Sequence, residues 1–156
     1  MNLVVVGRCD DPSTVDVQGL AAASEAEGFR FVRRLWEEYL SQVNRFDKEG
    51  EALFFARAGA RVLGVGGLNR DPYSGDPKVG RVRHLYVAPP LRRHGVGSQI
   101  VAAIGAAARS HYDMLTLRTN NPAADVFYQT LGFVPTVDIP QATHVLHLNA
   151  KGGAQG

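Results

Sequence analysis

The spacing of hydrophobic residues changes several times along the first fifty positions. A β-branched run at residues 3–6 predicts a short strand. A first helix is then predicted over residues 13–25, because Asp11, Pro12 and Ser13 form a helix-start signal. A second amphipathic segment, residues 29–43, follows the break at Gly28. The pattern predicts a strand and then two helices.

The remainder of the chain alternates between strand-like and helix-like spacing. Further strands are predicted at residues 53–58, 61–68, 80–87, 114–119, 134–137 and 143–148. Further helices are predicted at residues 96–110 and 122–131, and Gly132 fits the end of the second. Adjacent strands favour antiparallel hairpins, whereas the strand–helix–strand segment around Val96 favours one parallel pair. The elements predict a mixed sheet with helices on both faces.

Size, composition and charge narrow the class of protein. The 156 residues suit one domain, residues 1–150, followed by a loose tail at residues 151–156. The lone cysteine, Cys9, cannot form an internal disulfide and fits a reducing, cytoplasmic location. The apolar start is too short to span a membrane. A net charge of +2 gives no support for a nucleic-acid or membrane partner.

The main functional signal is the segment LYVAPPLRRHGVGS at residues 85–98. A predicted strand ends at two prolines, and two arginines then precede a glycine-rich helix start. Glycine allows a close approach of the backbone, and the first N–H groups of a helix attract anions. The segment therefore predicts a phosphate site, with a solvated surface turn as the alternative. It matches neither the P-loop nor the complete dinucleotide fingerprint.

Two motifs in this chain resemble those of the GNAT family of N-acetyltransferases. The first is Arg92-x-x-Gly95-x-Gly97, preceded by Leu85-Tyr86-Val87. The second is Asn121-x-x-Ala124-x-x-x-Tyr128, followed by Leu-Gly-Phe at residues 131–133. The resemblance implies an α/β (mixed α+β) fold whose central sheet of about seven strands is mixed and largely antiparallel, with helices on both faces.

The resemblance also implies roles for individual residues, with acetyl-CoA as cosubstrate. The backbone of the loop would hold the CoA pyrophosphate, and this loop consists of Arg92, Arg93, His94, Gly95, Val96, Gly97 and Ser98. Leu85, Tyr86 and Val87 would bind the pantetheine arm, and the Val87 N–H would polarise the thioester carbonyl. Asn121 would lie near the cofactor, although the sequence also explains it as a helix cap. Tyr128 would donate a hydrogen bond or a proton to the departing thiolate, unless it is a core residue.

The chain departs from the family pattern where many relatives carry a base on the fourth strand. Arg81 and Arg83 occupy those positions, and arginine stays protonated in proteins. Either ordered water or a weak candidate (His84, Glu37 or Glu38) then takes the amine proton. Alternatively, one of the arginines binds an anionic group on the acceptor. In a regular strand His84 faces away from Arg83, although a bulge would reverse this.

Other polar and aromatic residues allow structural explanations. Trp36 and Tyr39 are expected in the core, with an acceptor pocket as the alternative. Gly64, Gly66 and Gly67 lie in a strand pattern, which predicts a bulge or close packing and not a phosphate loop. The five histidines show no metal-ligand spacing, and so no metal site is predicted.

The sequence supports three functions in decreasing order. The first is an enzyme that moves an acetyl group from acetyl-CoA to a primary amine of a small molecule or peptide. Direct transfer is expected, and not a covalent enzyme intermediate, because no activated nucleophile is evident. The second is a non-catalytic acyl-CoA-binding sensor or interaction module. The third is a nucleic-acid-binding protein, which the low charge disfavours. The family resemblance also makes a homodimer possible.

Overall fold

The computed structural model describes residues 3–11 and 14–148. The predicted helix start at Pro12 and Ser13 and the predicted tail at residues 151–156 lie outside them. The α-helices of the described part are α1 (Gln18–Ala26), α2 (Phe31–Leu40), α3 (Val96–Ala108) and α4 (Pro122–Thr130). Its strands are β1 (Val5–Arg8), β2 (Ala52–Ala58), β3 (Arg61–Arg70), β4 (Val79–Val87), β5 (Met114–Leu117), β6 (Val134–Pro135) and β7 (His144–His147). None of these helices is long and apolar enough to cross a membrane.

The strands form a single sheet in the order β1-β2-β3-β4-β5-β7-β6. Neighbouring strands are antiparallel except for β4 and β5, which are parallel and are joined through α3. This confirms the predicted element order, the mixed and largely antiparallel sheet, and the parallel pair around Val96.

Several boundaries differ from the sequence-based predictions, most of all at α1. This helix begins at Gln18 and not at residue 13, because the segment before it pairs with the β2–β3 hairpin. Asp16 donates its N–H to the Ala60 carbonyl at 2.8 Å and accepts from the Val62 N–H at 3.0 Å. Strand β1 is displaced toward Arg8, α2 is shorter at both ends, and β6 ends two residues earlier than predicted.

Each face of the sheet carries its own hydrophobic core. Helices α3 and α4 cover one face, where Ile100 and Ile104 are completely buried against β2, β3 and β4. Helices α1 and α2 cover the opposite face, where Leu20 and Leu35 pack over β2 and β3. The two cores fix β4 between them, with side chains reaching both sides.

The glycines of β3 allow elements on both faces to approach the sheet. A Cβ on Gly66 would lie 2.6 Å from Ile100 Cγ2 in α3, and one on Gly67 would lie 2.6 Å from the Phe46 ring on the other face. The register between β3 and β4 also shifts at Gly66. Both predicted explanations, a bulge and close packing, are therefore confirmed for this segment.

Candidate active site

A cleft of about 830 Å³ opens where β4 and β5 separate. The parallel pairing runs from Val79 opposite Met114 to Arg81 opposite Thr116 and stops there, although β4 continues to Val87. Beyond Arg81, the edge of β4 that faces β5 has no partner strand among the described residues. Unpaired N–H and C=O groups on a strand edge bind an extended ligand by main-chain hydrogen bonds.

The backbone N–H of Val87 points into the gap between β4 and β5. Ala88 donates its N–H to the Leu63 carbonyl of β3 at 2.8 Å. Because N–H groups alternate along a strand, the Val87 N–H points to the opposite edge, toward β5. The residue predicted to polarise a thioester carbonyl thus has a donor directed into the cleft.

The arginine–glycine loop continues one wall of the cleft and leads into α3. Arg93 and Gly95 have positive φ values of 67° and 81°, which turn the chain sharply. The first helical bond runs from the Gln99 N–H to the Gly95 carbonyl at 3.0 Å, and no side chain caps the helix. The N–H groups of Val96, Gly97 and Ser98 consequently have no acceptor within the helix, which suits an anion.

Helix α4 brings two further predicted residues to the cleft. Asn121 is its N-cap, and its side-chain oxygen accepts from the N–H groups of Ala123 at 2.8 Å and Ala124 at 3.2 Å. The capping explanation is therefore confirmed. Tyr128 is buried and packs edge-on against Phe127 and Phe133.

The hydroxyl of Tyr128 has no hydrogen-bond partner among the described residues, and the side chain lines the cleft. Burial raises the pKa of this tyrosine well above its usual value of 10. The hydroxyl therefore stays protonated at physiological pH. It can donate a hydrogen bond to a group bound in the cleft.

Of the predicted cofactor and acceptor residues, most line the cleft. They are Leu85, Tyr86, Val87, Arg92, Arg93, Gly97, Asn121, Arg81 and Arg83. His94, Gly95, Val96 and Ser98 belong to the loop and first helical turn but do not form the cleft wall, and Val96 is buried in the core.

A β-bulge in β4 places His84 on the cleft. Gly67 lies opposite Arg83 and Val65 opposite Tyr86, so that Gly66 alone faces two residues, His84 and Leu85. The positive φ of 60° at His84 belongs to this irregularity. His84 consequently faces the same side as Arg83, and its ring stacks on Phe31 of α2 at 6.0 Å between centroids. The alternation expected for a regular strand is wrong at this position.

Comparison with known proteins agrees with this geometry. A family model described as an acetyltransferase (GNAT) domain matches residues 49–135, more than half of the chain. The chain belongs to the GNAT family of acetyltransferases. No curated protein matches it.

Solved structures with this fold come from several organisms. A protein of Exiguobacterium sp. 255-15 assigned to the acetyltransferases is 35% identical with a TM-score of 0.82, over 92% of this chain and 93% of that one. A GNAT-family acetyltransferase of Staphylococcus aureus Mu50 is 15% identical with a TM-score of 0.73, over 94% and 99%. A mutant of the toxin AtaT, bound to the C-terminus of the antitoxin AtaR and acetyl-CoA, is 17% identical with a TM-score of 0.67, over 94% of each chain.

One contact of the GNAT motif was missed by the sequence reasoning. The Arg92 guanidinium donates to both carboxylate oxygens of Glu27, at 2.6 and 2.9 Å, and its Nε donates to the Val87 carbonyl at 3.1 Å. The Tyr86 hydroxyl also donates to Glu27. Hydrogen bonds from Arg92 and then Tyr86 lower the pKa of the Glu27 carboxyl. Glu27, between α1 and α2, thereby connects that region to the arginine–glycine loop.

The α2 residues considered for an acceptor pocket or as a base do not reach the cleft. Trp36 stacks on Tyr39 at 5.3 Å and contacts Phe55 at 5.9 Å, which confirms that the two belong to the core. Glu37 and Glu38 do not line the cleft, whereas Phe29 and Phe31 do. No cluster of three metal-binding side chains occurs within residues 3–11 and 14–148.

His84 is the candidate base that reaches the cleft, but its environment opposes protonation. Burial first, and then the charges of Arg83 and Arg34, lower the pKa of His84 to about 3. The Nε2 atom is buried and has no hydrogen-bond partner among the described residues. The imidazole is therefore neutral at physiological pH and is a poor proton acceptor.

We expect this pKa to make the folded protein sensitive to acid. The unfolded chain has a histidine pKa near 6.5, so it binds more protons than the folded state between pH 6.5 and about 3. The free energy of unfolding then falls by about 1.4 kcal/mol per pH unit below 6.5, or about 2 kcal/mol at pH 5. Urea unfolding at about pH 7.5 and about pH 5 measures the loss.

A His84→Asn variant supplies the comparison, because asparagine tolerates a positive φ and does not titrate. Between about pH 7.5 and about pH 5, the free energy of unfolding of this variant should fall by about 2 kcal/mol less than that of the wild type. The control His147→Asn removes an exposed histidine and should behave like the wild type. Equal acid sensitivity of His84→Asn and wild type would contradict a depressed pKa at His84.

Proposed function

We propose that the chain is an enzyme that transfers the acetyl group of acetyl-CoA directly to a primary amine. The observation that carries this proposal is the continuity of three features in one cleft. These are the unpaired edge of β4, the uncapped start of α3, and the protonated Tyr128 hydroxyl. They match the three parts of an acyl-CoA thioester: an extended amide-bearing arm, a pyrophosphate and a sulfur leaving group.

The α3 end of the cleft is suited to the phosphates. The N–H groups of Val96, Gly97 and Ser98 lack intrahelical acceptors, and Arg93 lines the adjacent wall. The helix start adds partial positive charge. The AtaT neighbour of the same fold is known with acetyl-CoA, which supports this ligand for the present chain.

Acetyl-CoA supplies an activated acetyl thioester. The Val87 N–H donates to the carbonyl oxygen, where negative charge develops as the amine nitrogen bonds to the acetyl carbon. The carbon–sulfur bond breaks with its electron pair on sulfur, Tyr128 donates a hydrogen bond to the resulting thiolate, and solvent supplies the proton that completes the thiol. The amine loses its proton to water, because His84 is too weakly basic to hold it near neutral pH.

Titration with acetyl-CoA and measurement of thiol release over a panel of amines test the proposal together. We expect saturable acetyl-CoA binding and amine-dependent release of free thiol. The rate should increase with pH toward the pKa of the amine itself, because only the neutral amine is nucleophilic. Binding without thiol release on any amine would favour a non-catalytic acyl-CoA sensor, and absence of binding would overturn both functions.

A further inference from the structure

Arg81 is a buried cation whose hydrogen-bonding capacity is only partly used. The residue is 9% exposed. Its Nη2 donates to the Gln141 carbonyl at 2.9 Å, and the Tyr73 ring lies 5.0 Å from the guanidinium carbon. Its Nη1 is buried without a hydrogen-bond partner and is 3.8 Å from Asp71 Oδ2. A buried donor without an acceptor is unfavourable unless a ligand provides one.

Asp71 is the carboxylate beside this guanidinium, and both of its oxygens also accept hydrogen bonds from neutral donors. Its Oδ2 accepts from the Thr116 hydroxyl at 2.5 Å, and its Oδ1 accepts from the Tyr73 N–H at 2.7 Å. The carboxylate is completely buried and fixed in place. It therefore holds Arg81 in place through its 3.8 Å contact with Nη1, while the Arg81 side chain lines the cleft.

Two more arginines increase the positive charge in this part of the cleft. Arg83 follows on the same face of β4, and Arg118 follows the end of β5. Within the described part of the chain, no carboxylate oxygen lies within 4.0 Å of either side chain. Burial lowers the pKa of Arg81; the charge of Asp71 opposes this effect, and repulsion by Arg83 and Arg118 adds to it. Three guanidinium groups thus face one carboxylate.

We propose that the acceptor is a primary amine bearing a carboxylate or phosphate group, and that Arg81, Arg83 and Arg118 bind this anion. The inference rests on the proposed acetyl transfer. Guanidinium groups present paired donors that match both oxyanions. Tyr73, stacked over Arg81, borders the same region and shields it from solvent.

The direction of β4 determines how such an acceptor lies in the cleft. Arg83 and Val87 lie opposite Gly67 and Gly64 of β3, which are three residues apart and therefore separated by about 10 Å of extended strand. The anion therefore binds at the end where β4 and β5 are still paired, and the amine points toward Val87 and Tyr128. Acceptors whose anion is several bonds from the nitrogen should be favoured over short ones.

Matched acceptor pairs test the proposal, with 4-aminobutyrate against 4-aminobutanamide and phosphoethanolamine against ethanolamine. The anionic member should have the higher kcat/KM, and the better of the two anionic amines distinguishes carboxylate from phosphate. Arg83→Met and Arg118→Met should each lower kcat/KM for that amine by about 10- to 100-fold, with a much smaller loss for its neutral partner. Arg61→Met, an equal change of charge on an exposed residue outside the cleft, is the control.

A second readout does not depend on acetyl transfer. Calorimetric titration of the wild type with glutarate and with inorganic phosphate, in the presence of CoA, should show binding that Arg83→Met weakens and Arg61→Met does not. This result would support the anion site even if no amine released thiol, in which case only the proposed reaction would fail. Equal use of both members of each pair would overturn the anion site and leave acetyl transfer standing. Absence of turnover together with absence of Arg83-dependent anion binding would also overturn it.

Discussion

Changing Tyr128 to phenylalanine is expected to lower kcat by about 10²- to 10³-fold, the range typical of a lost hydrogen-bond donor to developing negative charge. The hydroxyl is the only group that the substitution removes, and no described residue hydrogen-bonds it. The buried ring retains its edge-on contacts with Phe127 and Phe133. The melting temperature should therefore change little, and acetyl-CoA should still bind. Steady-state thiol release and thermal unfolding measure the two effects separately.

The leaving group distinguishes this role from a structural one. An acetyl thioester of a more acidic thiol needs less assistance as the carbon–sulfur bond breaks, so the deficit of Tyr128→Phe should shrink with that donor. If the substitution only disturbed the structure, it would lower kcat by the same factor with both acetyl thioesters. Tyr39→Phe is the control for activity, because it removes the same group from a tyrosine that is buried in the other core and lies outside the cleft. A kcat for Tyr128→Phe within about threefold of wild type would contradict the assignment.

The parts of this protein that could be predicted from sequence are those with a local signal. Alternation and helical spacing predicted the element order, and the two GNAT motifs predicted which strand, loop and helix line the cleft. Asn121 was predicted as a helix cap from the following proline, and the structure confirms it. A cytoplasmic location and a homodimer remain predictions.

The features that were missed depend on contacts distant in sequence or on a single displaced residue. Glu27 lies 65 positions from Arg92, and no periodicity in the chain connects them. The bulge that turns His84 toward the cleft adds one residue to β4; the glycines of β3 indicated a bulge, but hydrophobic spacing does not locate the extra residue. Arg118 lies in the sequence between the two motifs, and the parallel pairing of Arg81 with Thr116 brings it near Arg81. Tertiary pairing therefore determined most of the acceptor side.

Replacing Gly97 with glutamate is expected to weaken acetyl-CoA binding by roughly 10²- to 10³-fold. Gly97 occupies the second position of α3 and lines the cleft, and a Cβ there would already lie 3.2 Å from the Phe127 ring. A longer side chain fills the space proposed for the pyrophosphate. Its carboxylate repels that group by about 4 kcal/mol at 4 Å, taking an effective dielectric constant of about 20. Calorimetric titration with acetyl-CoA measures the loss.

The same substitution should not unfold the protein, since acidic residues are stabilising in the first turn of a helix. Gly19→Glu is the matched control, because Gly19 is the second residue of α1, where an added Cβ would contact nothing within 4 Å. It introduces the same charge at the same helical position, away from the cleft. Gly97→Ala, which adds only the Cβ, should weaken binding far less than glutamate does. Equal affinities of Gly97→Glu and Gly19→Glu for acetyl-CoA would show that the pyrophosphate does not bind at the start of α3.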